Sequence, residues 1–252
     1  MELEGVIFDF GFTLFYFKDA SLERYLKCFK MGLEESINYL KELDILKKKT
    51  LIEEFIKIFN NKRQEYFKKS RKTSDEFPTT LIFQETLEQL DLILQGNEKQ
   101  DELISELANI YHLCEQDEWI PYKDTRETLT KLSEKGLMLG LLSNHPHHLA
   151  IEKILKNHEM AKYFEVIMTS GKFGERKPNK EIFLHTMEKM GLKNPKKVMM
   201  CGDEYADIIG AYKLGMIPVL FKRKFEFPFE KEIPIQNIKR IDKISEVLKF
   251  IN

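Results

Sequence analysis

Apolar and polar positions divide the chain into two kinds of pattern. Gly5-Val6-Ile7-Phe8 is a short apolar run with β-branched and aromatic residues, which predicts a buried strand. It runs out at Asp9-Phe10-Gly11-Phe12-Thr13-Leu14. From about Ser21 to Trp119 the apolar spacing changes to threes and fours. Leu22, Leu26, Phe29, Leu33, Ile37 and Leu40 form one helical stripe behind Ser21 as its cap. Thr50 with Glu53 predicts a capping box, with Leu51, Phe55, Ile58 and Phe59 behind it. The polar, basic stretch from Lys62 to Asp75 predicts a break, and Pro78-Thr79-Thr80 a restart. Leu87, Leu90 and Leu94 then run to Gly96 as a stop, and Leu103, Leu107 and Ile110 make a fourth stripe.

From Pro121 onward strand and helix signals alternate. Predicted helices cover Asp124 to Lys135, Pro146 to Lys156, Lys180 to Met190, and Asp207 to Leu214. Between them lie the apolar runs Leu137 to Leu142, Phe164 to Met168, Val198 to Cys201 and Ile217 to Phe221, continuous enough for strands covered on both faces. Lys224 to Pro234, with Phe225, Phe227 and Phe229, reads as a surface excursion before a last strand and a helix from Ile244 to Ile251. Such alternation implies right-handed crossovers and a parallel sheet. The predicted architecture is α/β: a Rossmann-like, doubly wound parallel sheet formed by residues 1–15 and 120–252. A helical bundle, residues 16–119, is inserted after the first strand.

Composition narrows the partners. With 252 residues, 42% of them hydrophobic, the chain can bury a substantial core. Forty Lys and Arg against 41 Asp and Glu leave a net charge of −1, which offers no basic field for nucleic acid. The Lys62 to Lys72 patch reads as a solvated face. Cys28, Cys114 and Cys201 are too few and too scattered for a disulfide framework or a zinc site, and suit a reducing compartment. Glu2 and Glu4 precede a run too short for a signal peptide, and no apolar span reaches the length of a transmembrane helix. The expectation is a cytoplasmic protein without a membrane partner; its oligomeric state is not legible.

Chemistry gathers where the strands end. Asp9, Ser143-Asn144, and Asp203 with Asp207 each close or follow a predicted strand, and Lys177 lies in the loop after another. In a doubly wound sheet the carboxyl ends of parallel strands share one edge. As a set these residues fit phosphoryl transfer. An aspartate can serve as nucleophile, and two carboxylates can hold Mg²⁺. A hydroxyl and an ammonium can bind the oxygens over which charge spreads. His145, His147 and His148 read as an ordinary polar loop.

Four motifs in this order resemble the haloacid dehalogenase superfamily, in the branch with a helical cap after the first strand. They are Asp9-Phe10-Gly11-Phe12-Thr13, Leu141-Leu142-Ser143-Asn144, Arg176-Lys177-Pro178, and Gly202-Asp203-Glu204-Tyr205-Ala206-Asp207. The resemblance covers almost the whole core, and the cap only in position and helicity. It implies that Asp9 is the nucleophile and a Mg²⁺ ligand, with the Gly11 carbonyl and Asp203 as further ligands and Asp207 supporting the metal. It also implies that Ser143 and Asn144 bind the phosphate of a small phosphorylated metabolite. Lys177 neutralises that phosphate and orients Asp9, while Thr13 buttresses the turn.

Gly11 departs from the family pattern, which usually places an aspartate there as general acid. Three readings therefore stand: a Mg²⁺-dependent phosphate monoester hydrolase using an aspartyl-phosphate, a 2-haloacid dehalogenase or phosphonate-type C–P hydrolase, and a catalytically impaired binding or regulatory protein. The cap, His145, His147 and His148 are the candidate sources of a substitute acid, and the sequence does not choose among them.

Overall fold

The computed structural model describes residues 2–93, 98–223 and 231–251. Leu94, Gly96, Phe225, Phe227 and Phe229, named above, lie outside the described residues. Six parallel strands form one sheet in the order β5-β4-β1-β6-β7-β8. They are β1 (Gly5–Phe8), β4 (Met138–Ser143), β5 (Val166–Thr169), β6 (Val198–Gly202), β7 (Ile217–Phe221) and β8 (Lys239–Ile241). β1 lies between β4 and β6, with Phe8 paired to Leu141 on one side and Cys201 on the other. All four β1 residues are buried, as a strand covered on both faces requires.

Helices α6 (Thr125–Glu134), α7 (His148–Asn157), α8 (Ser170–Phe173), α9 (Lys180–Lys189) and α10 (Tyr205–Lys213) alternate with these strands. One apolar cluster joins β1, β4 and β6 to α6 and α7 through Val6, Leu139, Met199, Leu129 and Ile154. A second, on Ile7, Leu142 and Met200, receives Ile182, Phe183 and Met187 of α9. The doubly wound sheet is thus packed on both faces.

Four helices follow the first strand: α1 (Leu22–Glu42), α2 (Lys49–Thr73), α3 (Thr79–Gln89) and α4 (Glu98–Tyr111). They enclose an apolar cluster of their own, including Leu40, Phe55, Phe59, Phe83, Leu107 and Tyr111. Ser21 caps α1 as expected, its Oγ accepting from the Arg24 N–H (3.2 Å). The short helix α5 (Glu115–Glu118) then leads into β3 (Trp119–Pro121), which pairs antiparallel with β2 (Phe15–Phe17). This two-stranded ribbon, where chain leaves and rejoins the sheet, is too short to show as a sequence pattern.

Several local expectations fail. Lys48 caps α2, so Thr50 lies inside the helix and no side-chain capping bond forms. The helix also runs unbroken through Lys62 to Thr73. Of its residues only Phe55, Phe59 and Ser70 are buried, so its second half lacks the apolar stripe that periodicity detects. The helix expected from Ile244 is present to Phe250, in 3₁₀ form.

The cysteines, expected to be too scattered for a disulfide framework, include one bonded pair. Cys28 and Cys114 form a disulfide, with Cα atoms 5.6 Å apart across a sequence separation of 86. Packing of α1 against α4 creates this proximity, which spacing alone does not reveal. Reduction, or Cys28→Ser, is expected to cost about 2–4 kcal/mol by releasing a long loop in the unfolded chain. Thermal midpoints with and without dithiothreitol measure the loss, about 5–15 °C for a chain of this size.

Candidate active site

Asp9 follows β1 directly, and its N–H continues the sheet by donating to the Cys201 carbonyl (2.9 Å). That bond fixes its backbone at the carboxyl edge, beside the end of β6. Lys177 reaches the same point from the loop between α8 and α9. Its Nζ donates to Asp9 Oδ1 (2.5 Å) and to the Leu142 carbonyl (2.8 Å), and lies 2.6 Å from Asp207 Oδ1. The Lys177 side chain is fully buried. Asn144 holds the backbone of this lysine at both ends: its Oδ1 accepts from the Lys177 N–H (2.8 Å) and its Nδ2 donates to the Lys177 carbonyl (3.1 Å). Both ends of its amide are therefore taken up by the loop. Ser143 is buried at the end of β4.

Asp203 follows β6, and Asp207 sits in the first turn of α10. Gly202 makes their approach feasible, because a Cβ there would stand 2.2 Å from the Asp207 carboxyl carbon. Thr13 Oγ1 donates to Asp203 Oδ1 (2.8 Å), so this hydroxyl ties the turn after β1 to the second carboxylate. Arg223 Nη1 donates to Asp203 Oδ2 (2.6 Å). No motif flagged Arg223; its signal is only its position just past β7, the strand beside β6.

Asp9, Asp203 and Asp207 thus converge, each offering an oxygen within 4.8 Å of the others. Two cations, Lys177 and Arg223, face three carboxylates. Burial pushes the Asp9 carboxyl well above its ordinary value, against the pull of Lys177 and with Asp207 and Asp203 adding to the rise. Burial and Asp207 likewise raise Asp203 to about 7, opposed by Arg223. For Lys177, burial works against the ammonium, but Asp207 and Asp9 outweigh it and shift the group upward. Three buried carboxylates against two cations leave the set one positive charge short, and such an all-oxygen donor set fits a divalent ion of the Mg²⁺ type.

Gly11 faces Trp119. A Cβ at position 11 would lie 3.0 Å from the indole Cη2, and the ring packs edge-on against Phe10, Phe12 and Phe17. The place of a side chain at this position is therefore filled by an aromatic wall.

The helical segment closes over the Lys177 loop. Between α2 and α3, the Glu76 N–H donates to the Gly174 carbonyl (2.8 Å), and the Arg176 N–H to the Ser74 carbonyl (2.7 Å). Arg176 Nη1 also pairs with Glu76 Oε2 (2.6 Å), which accepts from Ser170 Oγ as well. The histidine loop is not an ordinary polar loop: His145 and His147 are buried, and His145 lies against Glu115 of α5.

Residues 78–220 match the family described as haloacid dehalogenase-like hydrolase. A glyceraldehyde 3-phosphate phosphatase of Pyrococcus furiosus is 34% identical over 131 residues, covering 50% of this chain and 54% of that one. A phosphoglycolate phosphatase of Vibrio parahaemolyticus is 28% identical over 163 residues, covering 64% and 66%. The chain spans about half the length of the curated relatives it matches. A 2-haloacid dehalogenase from Pseudomonas syringae superposes with a TM-score of 0.64 at 16% identity, over 98% of this chain and 97% of that one. A phosphatase from Thermococcus onnurineus gives 0.57 at 23%, over 99% and 97%. These structural likenesses establish a shared fold. With the family match across more than half its length, the chain belongs to the haloacid dehalogenase-like hydrolases.

Proposed function

We propose that this chain hydrolyses small phosphate monoesters through an aspartyl-phosphate on Asp9, with Mg²⁺ as cofactor. The observation that carries the reading is the buried Asp9 carboxylate at the sheet edge, one oxygen held by Lys177 and two further aspartates beside it. Relatives named as phosphatases of small metabolites agree with it.

With Oδ1 engaged by Lys177, Oδ2 is assigned the attack on phosphorus. The bond to the ester oxygen breaks, and the leaving alkoxide takes a proton from solvent, which the hydrolysis step returns. Water then hydrolyses the acyl phosphate, releasing inorganic phosphate and restoring Asp9. Lys177 keeps the carboxylate in line and offsets charge on the phosphoryl oxygens. Ser143 donates to one of those oxygens, and Asn144 acts through Lys177 by fixing its backbone. Asp9, Asp203, Asp207 and the Gly11 carbonyl would hold Mg²⁺, which supplies charge neutralisation for the transferring group when bound. Residues 16–119 serve as a cap whose closure over the Lys177 loop excludes water, with Glu76 and Arg176 as its fastening.

Gly11 sets the substrate preference. No carboxyl stands at this position to protonate the leaving oxygen, and Trp119 occupies its space. Losing such an acid costs roughly 10²–10⁴ in rate where the leaving group needs a proton. Aryl phosphates, whose phenolate leaves unaided, are therefore expected to exceed alkyl phosphates in kcat/KM by about that factor. A Brønsted plot over a phenyl phosphate series, measured with Mg²⁺, checks this. A flat dependence would reveal another acid.

The same feature favours a second reading, carbon–halogen cleavage, because a halide departs without a proton. Here Asp9 would attack carbon and form an ester that water hydrolyses. Halide release from 2-haloacids in the presence of a chelator, absent in Asp9→Asn, is its test. The primary test is a phosphomonoester screen with Mg²⁺ against Asp9→Asn: turnover must depend on Asp9.

A further inference from the structure

A second group of ionisable side chains is closed off between the helices and the sheet. His112 follows α4, Glu115 opens α5, and His145 lies two residues past β4. His112 Nδ1 is 2.5 Å from Glu115 Oε2, and His145 Nε2 is 3.3 Å from the same oxygen. One atom from each residue lies within 4.8 Å of the other two. The side chains are 2%, 1% and 10% exposed.

Each of these groups is also oriented from behind. His112 Nε2 meets Thr79 Oγ1 (2.7 Å). His145 Nδ1 meets the His147 carbonyl (2.9 Å). Trp119 Nε1 donates to Glu115 Oε1 (3.5 Å). Imidazoles that bind a metal through one nitrogen and give the other to a carbonyl or hydroxyl have this arrangement, as does a ligating carboxylate with its own donor.

Charge makes the same point. His145 Nδ1 faces both the carbonyl (2.9 Å) and the N–H (3.2 Å) of His147, and its Nε2 faces the Glu115 carboxylate. A buried carboxylate between two imidazoles needs a positive charge beside it, either a proton on an imidazole or a metal ion. Two imidazoles and one carboxylate are a zinc donor set.

We propose that His112, Glu115 and His145 bind a Zn²⁺ ion, separate from the aspartate site and independent of the phosphatase reading. The ion replaces the proton held among the three groups. It fastens the end of the helical segment to the turn that carries Ser143 and Asn144, and through Trp119 it backs the wall over Gly11.

The experiment uses the full chain carrying Asp9→Asn and Asp203→Asn, which removes two of the three aspartates. After chelator treatment and dialysis it is titrated with Zn²⁺, with stoichiometry from elemental analysis. One zinc per chain and a raised thermal midpoint are expected. Adding Glu115→Gln or His145→Asn should weaken uptake by at least about 10-fold, the scale on which metal sites respond to lost ligands and their supports. Co²⁺ in place of Zn²⁺ should give the intense visible bands of a four-coordinate, nitrogen-ligated ion, a readout that stands even if a ligand variant fails to fold. Absence of zinc uptake, uptake indifferent to Glu115→Gln, or the weak spectrum of an all-oxygen site would each overturn the proposal. Such a result leaves a protonated His–Glu network in its place, without bearing on phosphatase turnover.

Discussion

Asp9→Asn is expected to abolish turnover, by roughly 10⁴-fold or more as for other lost nucleophiles, while leaving the fold at least as stable as before. The two halves of this prediction share a cause. Asp9, Asp203 and Asp207 are three buried carboxylates facing Lys177 and Arg223. Their mutual repulsion and burial already drive the Asp9 carboxyl upward. An amide of the same shape removes one negative charge and balances the cluster. A site that places like charges together for chemistry gains stability when one is deleted. Initial rates on phenyl phosphates and thermal unfolding of the same preparation check both halves. A variant that is inactive but also several degrees less stable would show that Asp9 holds the fold rather than the substrate.

Lys177→Ala should behave in the opposite way, losing activity and stability together. Lys177 Nζ lies 2.5 Å from Asp9 Oδ1 and 2.6 Å from Asp207 Oδ1, with its side chain fully buried. Removing one member of a buried ion pair leaves uncompensated charge and costs about 3–5 kcal/mol. The pH dependence then carries a sign. Without the ammonium, the folded-state value of Asp9 rises further above that of the unfolded chain. The resulting loss is therefore largest at neutral pH and shrinks as pH falls and the carboxylates protonate. Urea unfolding of wild type and variant across a pH series measures this. A stability difference that grows on acidification would contradict the assigned charges. Activity should fall as well, because Asp9 loses the group that orients it. Lys177→Arg is not expected to rescue it, since a planar guanidinium cannot replace a compact ammonium among three acceptors.

The contrast between the two variants reflects what was legible in the chain. Asp9 and Asp203 stand just past strand ends, Asp207 in the helix that follows and Lys177 in the loop between α8 and α9, and alternation of strands and helices brings such positions to one edge. Topology thus converts scattered residues into a site, and their meeting could be anticipated without coordinates. Thr13 could be placed near the turn, but not on Asp203, because that contact depends on side-chain reach. Arg223 carries no motif. The grip of the Asn144 amide on both ends of the Lys177 backbone likewise carries no sequence signal.

Elsewhere the pattern misled for identifiable reasons. The second half of α2 is a solvent-covered helix, and apolar periodicity is silent where nothing is buried. Thr50 and Glu53 fit a capping box by spacing, but the chain enters the helix at Lys48. Cys28 and Cys114, and likewise His112, Glu115 and His145, meet only through packing of α1, α4, α5 and the β4 loop. Only the His112–Glu115 contact is local in sequence, at i and i+3; the other meetings are encoded by no local spacing. Gly11 was legible as a missing acid; that Trp119 fills the space was not.

The central claim is a covalent phosphoryl group on Asp9. Rapid acid quench during turnover of a phenyl phosphate with Mg²⁺, followed by peptide mapping, tests it most directly. A phosphate adduct is expected on the peptide containing Asp9, formed within the first turnover and absent from Asp9→Asn. Steady turnover with no adduct on that peptide, or an adduct on another residue that persists in Asp9→Asn, would contradict it.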